Sequence, residues 1–426
     1  MQRLVCDHCY TGKKKCIKRS DSSTCARCDR LSLACTAVRK QRRGGRPPKQ
    51  NLPGVSKGSL GIWDYEQAKE DEFYHSHDIY MIGSTFAGDF HRAVEYCQQH
   101  SAHLLGDIFR ACHSCLSWAR FGVLPSNQVD MQSGASSVQK LRDATIANMH
   151  DAAAVLLLGQ ALAAFDSLVA CTRTISILRF SLSLTRPWYA EIMQTRILQP
   201  IAIAPIFWDT VWCLLHHEIP VIEPVLSHTD APDRIAGVCT SLLLILYDLC
   251  VISNSLLHDP NQEATPLDEI EHRVRAWAPA NPNPSQYTPL EILSMTTQAA
   301  MYRTATLLLI HRLTHPVSPR PDDIATPLAT SILETRISFF KSAGPGAKLQ
   351  NASFPLFLAL LETDTPTEGL WESSTYLRNR PVCADRLFGF VEYVRGMRQR
   401  GFTGSLFELV NSYTEDNDHL GIMPVL

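Results

Sequence analysis

Three features of the 426-residue sequence predict a small cysteine-held head joined to a mostly all-α body. Cysteine crowds at one end, with six of the fourteen in the first 35 residues. Charge is divided in the same way. Residues 1–50 carry fourteen Lys and Arg against three Asp, a charge of +11, while the remaining 376 residues carry 26 against 39, a charge of −13. Finally, apolar residues beyond about position 136 recur at helical three-and-four spacing, and alternating strand patterns are scarce. A chain of this length predicts two to three folded units with ample material for a core. A basic head on an acidic body points to a polyanion-binding module joined to something else.

Four segments follow in order. Residues 1–36 form the cysteine-rich head. Residues 37–60 are basic and rich in Gly and Pro, which predicts a linker. Residues 61–135 begin acidic (WDYEQAKEDEFY) and continue with helical spacing, and residues 136–426 form an all-α regulatory domain. Within that domain Leu141, Thr145, Asn148, Ala152, Val155, Leu158, Leu162 and Phe165 share one helical spacing. Thr288-Pro-Leu-Glu291 is a capping box with proline at the first helical position, starting a helix that stops before Pro316. Ile324, Leu328, Ile332 and Phe339 mark another helix, and 278–289 is a loop by composition. The most apolar stretch, 152–170, is interrupted by Gln160 and Asp166, so a buried helix is expected rather than a membrane span. Charges run throughout residues 1–20, where a signal peptide would need an apolar core, so an intracellular, reducing setting is expected.

The head reads Cys6-x2-Cys9-x6-Cys16-x8-Cys25-x2-Cys28-x6-Cys35, an internal repeat of one three-cysteine pattern. Zinc in structural sites takes four tetrahedral ligands, and thiolates suit it. Two separate four-thiolate sites need eight cysteines; with six, two must bridge if both halves bind metal. In a symmetric arrangement the bridges are the first cysteine of each half, Cys6 and Cys25. The competing reading is one zinc on Cys6, Cys9, Cys25 and Cys28, spaced C-x2-C-x15-C-x2-C, which leaves Cys16 and Cys35 unexplained. His8 lies between two ligands and is expected to face solvent.

This head resembles the fungal binuclear zinc-cluster transcription factors, in which two zincs share six cysteines. The resemblance covers about 35 residues, and all six cysteines fall at the family's spacings. It implies a small zinc-stabilised N-terminal cluster of two short helix–extended units, with two Zn²⁺ per chain. Cys6, Cys9, Cys16 and Cys25 would hold one zinc, and Cys25, Cys28, Cys35 and Cys6 the other. It also implies a nuclear regulator of RNA polymerase II transcription that binds double-stranded DNA at CGG-like triplets and meets the transcription machinery or co-regulators. In that family the residues three and four places after the second cysteine are typically basic. Here they are Gly12 and Lys13, so Lys13 matches the base-contacting lysine and Gly12 departs. The usual proline before the fourth cysteine is also missing.

Between the second and third cysteine of each half the sequence differs. The first half carries Lys13, Lys14 and Lys15, and the second carries Leu31 and Leu33, which are expected to pack between the halves. The lysine side is therefore the expected DNA face. Lysine can donate to guanine O6 and N7 in the major groove, whereas Lys14, Lys15, Lys18, Arg19, Arg27 and Arg30 are assigned to phosphates, which position a module without reading sequence. Arg39, Lys40, Arg42, Arg43, Arg46 and Lys49 form a basic linker suited to nuclear import or non-specific phosphate binding. Its Gly-Arg-Pro core also resembles an AT-hook, with Gly44-Gly45 in place of Arg-Gly.

The body offers several decoys. Cys112-His-Ser-Cys115 lacks the strand context of a thioredoxin motif. His311-x3-His315 lacks the glutamate of a zinc-protease motif, and His216-His217-Glu218 reads as a helix end. No P-loop, nucleotide-binding glycine pattern or G-x-S-x-G is present, and no enzyme activity is expected. From Glu291 to about Leu360 the chain resembles the fungal-specific transcription-factor helical domain, carried by MYRTATLLLIHRLTHP, the helix at 322–341 and PLFLALLE. Short regulators of secondary-metabolite gene clusters share this layout. The acidic stretches 63–74 and 407–426 suit activation segments. No sustained heptads follow the cluster, so any homodimer would form through the body. A repressor, or a zinc-stabilised interaction protein without specific DNA readout, remains an alternative.

Overall fold

The computed structural model describes residues 6, 9, 16–17, 24–31, 33, 35–36, 80–119, 129–225, 231–258, 265–344, 346–366 and 380–416. The chain divides into two units, Met1–Leu60 and Gly61–Leu426.

In the first unit the second cysteine repeat folds into one short helix, α1 (Ala26–Arg30). Cys25 is its N-cap, its sulfur accepting the Cys28 N–H at 3.4 Å. The Ala26 N–H is received by the Ile17 carbonyl at 3.0 Å, tying this helix to the residue after Cys16. The buried apolar groups described in this unit are cysteines: Cys6, Cys9, Cys25 and Cys28, with Cys16 and Cys35 packed against them. Leu31 and Leu33 do not pack between the halves as expected; they are 47% and 40% exposed. Among the described residues the buried cluster is made of cysteines alone.

The second unit is helical, and among the described residues its only β pairings are two isolated bridges, Asp233 with Gly237 and Val317 with Gly404. Its helices are α2 (Ala87–Ala119), α3 (Met131–Arg142), α4 (Met149–Val169), α5 (Thr174–Thr185), α6 (Tyr189–Gln194), α7 (Gln199–His216), α8 (Leu242–His258), α9 (Thr265–Ala276), α10 (Pro289–Thr314), α11 (Ala325–Ala343), α12 (Ser353–Glu362), α13 (Pro381–Gln399) and α14 (Leu406–Asp416). Helices α4 and α7 are apolar on nearly every face and form the centre. Helices α2, α3, α5, α6, α7 and α13 pack on α4, and α7 adds α8 and α14. By length and composition two segments, Met149–Val169 and Arg196–His216, could cross a membrane; 83% and 78% of their apolar windows are buried inside the protein. Helices α10, α11 and α12 pack on one another, with α9 against α10 and α13 against α12.

The single helical spacing from Leu141 to Phe165 is broken in the structure. Helix α3 ends at Arg142, and α4 starts afresh after Asn148, whose side chain accepts the Asp151 N–H at 3.0 Å. Asparagine is a strong N-cap, and here its local hydrogen bond outweighs continuity of the apolar stripe. The two polar residues that interrupt the apolar stretch have distinct tertiary partners. Gln160 donates to the Ile201 carbonyl of α7 at 3.2 Å and accepts from Arg234. Asp166 accepts the N–H groups of Thr172 and Arg173, each at 3.0 Å, and the Thr174 hydroxyl, and so fastens the turn that leads into α5. The capping box forms as read: Thr288 accepts the Glu291 N–H at 3.2 Å, and Glu291 accepts the Thr288 N–H at 2.8 Å. Glu291 also accepts the N–H and hydroxyl of Thr85, fastening the short Ser84–Phe86 turn. Helix α10 ends at Thr314, before Pro316, and Ile324 stands exposed just outside α11.

The approach of α4 to α5 depends on Gly159. A Cβ there would meet the Ser181 Oγ at 2.0 Å and its Cβ at 2.1 Å, with Ser181 fully buried. Gly159→Ala is therefore expected to destabilise the body by about 1–3 kcal/mol through overpacking. Urea unfolding of the two proteins checks this, read as a lower midpoint at unchanged slope.

Candidate metal centre

The six N-terminal cysteines, scattered over thirty residues of sequence, meet in one place. Their sulfurs form two groups of four, Cys6, Cys9, Cys16 and Cys25 in one and Cys6, Cys25, Cys28 and Cys35 in the other, with all sulfurs of a group within 4.8 Å of one another. Cys6 and Cys25 belong to both. Cys16 and Cys35, which the one-zinc reading leaves without a role, are members of the two groups.

The spacing within the groups suits a metal. Cys6 and Cys25 sulfurs lie 3.8 Å apart, Cys6 and Cys28 3.6 Å, and Cys9 and Cys25 3.6 Å. Four sulfurs at about 2.3 Å from a common Zn²⁺ stand about 3.8 Å apart along each tetrahedral edge. The donor set is all sulfur, which selects zinc or another thiophilic ion over magnesium or calcium. The groups can therefore hold metal ions, and zinc fits them.

Local backbone prepares the shared sulfurs as ligands, because the thiolate is the form that binds metal. The Cys28 N–H at the start of α1 points at the Cys25 sulfur; together with neighbouring thiols it pulls that thiol down to about 5, against the opposing effect of burial. The Cys9 N–H lowers Cys6 in the same way. Burial instead pushes Cys9 up to about 12, with the neighbouring sulfurs adding to the effect. Several buried thiolates repel one another unless a cation lies among them, so a metal is the natural counter-charge. The Cys35 sulfur also accepts the Cys25 N–H at 3.3 Å.

Of the sequence-predicted DNA-contacting residues, the structure places Arg27 and Arg30 on α1, Arg30 being exposed and Arg27 half-buried. Lys13, Lys14, Lys15, Lys18 and Arg19 lie outside the described residues. So do Gly12, Arg39, Lys40, Arg42, Arg43, Arg46 and Lys49, the acidic stretch 63–74 and residues 417–426.

The decoys of the body are structural. Cys112 and Cys115 are buried on α2; the Cys112 thiol donates to the Ala161 carbonyl, and burial drives both thiols up, Cys115 to about 12. Such thiols are inert as nucleophiles. His311 and His315 stack at 4.2 Å, and His311 pairs with Asp322. His216 is held down at about 4 by burial, and His217 ends α7 in the left-handed conformation at φ +52°. One pair departs from what a reducing setting predicts: Cys171 and Cys383 form a disulfide, their Cα atoms 5.8 Å apart and 212 residues apart in sequence. No local pattern announces it, since only the packing of α13 on α4 brings the two together.

No family model, curated protein or solved structure matches the chain. The centre therefore stands on its own geometry, as a compact all-cysteine site at the head of a helical protein.

Proposed function

We propose that the protein is a nuclear, sequence-specific DNA-binding regulator of RNA polymerase II transcription whose head is a binuclear zinc cluster. The observation that carries this reading is the pair of sulfurs, Cys6 and Cys25, common to two four-sulfur groups in a segment of charge +11. Two Zn²⁺ and six thiolates sum to −2, which the surrounding Lys and Arg offset. Such sets are closed, leaving no open position for water or substrate, so they suit a structural role over catalysis. The resemblance of the head to fungal zinc-cluster factors, and of the body to their helical regulatory domain, supports CGG-like triplets as the target. Promoters of a secondary-metabolite gene cluster fit the same resemblance. The body would meet co-regulators and carry any homodimer contact.

Lys13→Ala should abolish discrimination between a CGG-type site and a scrambled one, at a cost of about 1–3 kcal/mol. Neutralising Arg42, Arg43 and Arg46 together should weaken binding to both sites alike. It should also flatten the slope of log affinity against log salt by about 0.9 for each phosphate that the chain no longer neutralises. Fluorescence anisotropy across a salt series measures both. Equal losses on the two DNAs for Lys13→Ala would favour the alternative of a zinc-stabilised interaction module. The exposed side chains of Ile17, Leu31 and Leu33 would suit that role.

A further inference from the structure

The body carries a cavity of about 750 Å³ between Phe86 in the turn just before α2, the Arg196–Leu198 turn and the chain at 231–241. Its volume lies in the range of about 300–1,000 Å³ that small-molecule sites occupy. Its apolar wall includes Phe86, Met193, Ile197, Pro200 and Ile203. Phe86 is fixed by stacking on Tyr287, ring centres 5.4 Å apart.

Three arginines and two aspartates are among the residues that line this space, an excess of one positive charge with all five ionised. They differ in what they are free to bind. Arg92 is engaged by Asp89 one turn away. Asp233 is buried, and its carboxylate accepts the Ile235 and Ala236 N–H groups, each at 2.8 Å. Arg234 is buried and rigidly held: its Nε donates to the Pro200 carbonyl at 2.8 Å, its Nη2 to Gln160, and its guanidinium lies 4.3 Å from the Phe90 ring centre. It forms no ion pair among the described residues, and it also lines a second space of about 60 Å³ walled by Phe90, Phe109, Leu157 and Trp208. Arg196 is exposed at the cavity and makes no hydrogen bond or ion pair among the described residues.

We propose that this cavity binds an organic monocarboxylate with an apolar, aromatic-sized body. The carboxylate is received by Arg196, whose planar fork of donors matches it, in the positive field of the fixed Arg234. The apolar body lies against Phe86, Met193, Ile197 and Ile203. One excess positive charge matches a monoanion; a phosphate dianion would remain uncompensated in a wall this apolar. The site is a property of the body and holds whether or not the head reads DNA.

The test uses isothermal titration calorimetry on the full chain with 2-naphthoate and its neutral isostere 2-naphthamide. Saturable binding of one naphthoate per chain is expected, with the amide about tenfold weaker or worse. Arg196→Gln should bring naphthoate down to the affinity of the amide and leave the amide unchanged. Ile197→Trp, which fills the apolar side, should abolish binding of both at an unchanged thermal midpoint. Absence of saturable naphthoate binding, equal binding of acid and amide, or indifference to Arg196→Gln would each overturn the proposal. DNA binding does not enter the readout, so failure here is distinct from failure of the DNA-binding reading.

Discussion

Cys25→Ala should strip the N-terminal unit of all its bound metal, whereas Cys16→Ala should initially leave one ion in place. The difference follows from the sulfur geometry: Cys25 belongs to both four-sulfur groups and Cys16 to one. Cys6→Ala should behave like Cys25→Ala, and Cys35→Ala like Cys16→Ala. The consequence for folding is as large as the consequence for metal. With cysteines as the described buried groups of this unit, metal binding and folding are one equilibrium, and a chelator should unfold the head. Native mass spectrometry of the full chain counts the ions, and circular dichroism difference spectra follow the fold. Two ions in the parent protein, none in the Cys25 variant and one in the Cys16 variant is the expected pattern. One ion per parent chain, or identical metal loss in all four variants, would sink the shared-sulfur arrangement.

Glu362→Gln should cost the body about 3 kcal/mol, near the low end of what breaking a buried ion pair costs. The Glu362 and Arg312 side chains are 2% and 1% exposed and meet through two hydrogen bonds of 2.6 and 2.7 Å, joining α12 to α10. Arg398 of α13 reaches the same carboxylate. Without it Arg312 keeps one carboxylate, Asp322, at 2.9 Å, which is why the loss falls at the low end. Replacing Arg312 and Glu362 together by leucine should recover part of the loss, because the most deeply buried charges are then removed as a pair, while Arg398 and Asp322, 18% and 19% exposed, keep some access to water. Denaturant unfolding of the single and double variants measures this; a single variant as stable as the parent would mean that the network contributes nothing.

The same network carries a pH dependence. Burial opposes it, but the Ala325 and Ile324 N–H groups, with His311 and Arg312, hold the Asp322 carboxyl well below the usual range. A carboxylate depressed in the folded state contributes stability that is full above its unfolded value of about 3.9 and is lost as pH falls toward the folded value. Acid should therefore loosen the α10–α11 connection, and Asp322→Asn should remove that part of the acid sensitivity.

Sequence alone determined the features that rest on local chemistry. The six-cysteine spacing gave the membership of the two four-sulfur groups that could hold metal, because ligand type and offset are written in the chain and thiolates in such a pattern have few other uses. Thr288 and Glu291 announced the start of α10 because a capping box is satisfied within four residues. The apolar periodicity gave a helical body, since a 3.6-residue period is a property of neighbours in sequence. What only the tertiary structure decided lies wherever partners come from distant segments. Leu31 and Leu33 read as packing residues by composition, yet the described buried cluster is made of cysteines and both leucines stand exposed. Asn148 looked like one more position in a continuous helix, and its cap divides that helix in two. Gln160 and Asp166 read as interruptions until Ile201, Arg234 and the start of α5 arrived beside them. The disulfide from Cys171 to Cys383 and the cavity between Arg196 and Arg234 gave no signal at all. Each depends on elements that come together only after the apolar faces of α4 and α7 have been buried, and burial of apolar area is non-directional, fixing that these faces are covered but not which polar groups meet at their margins.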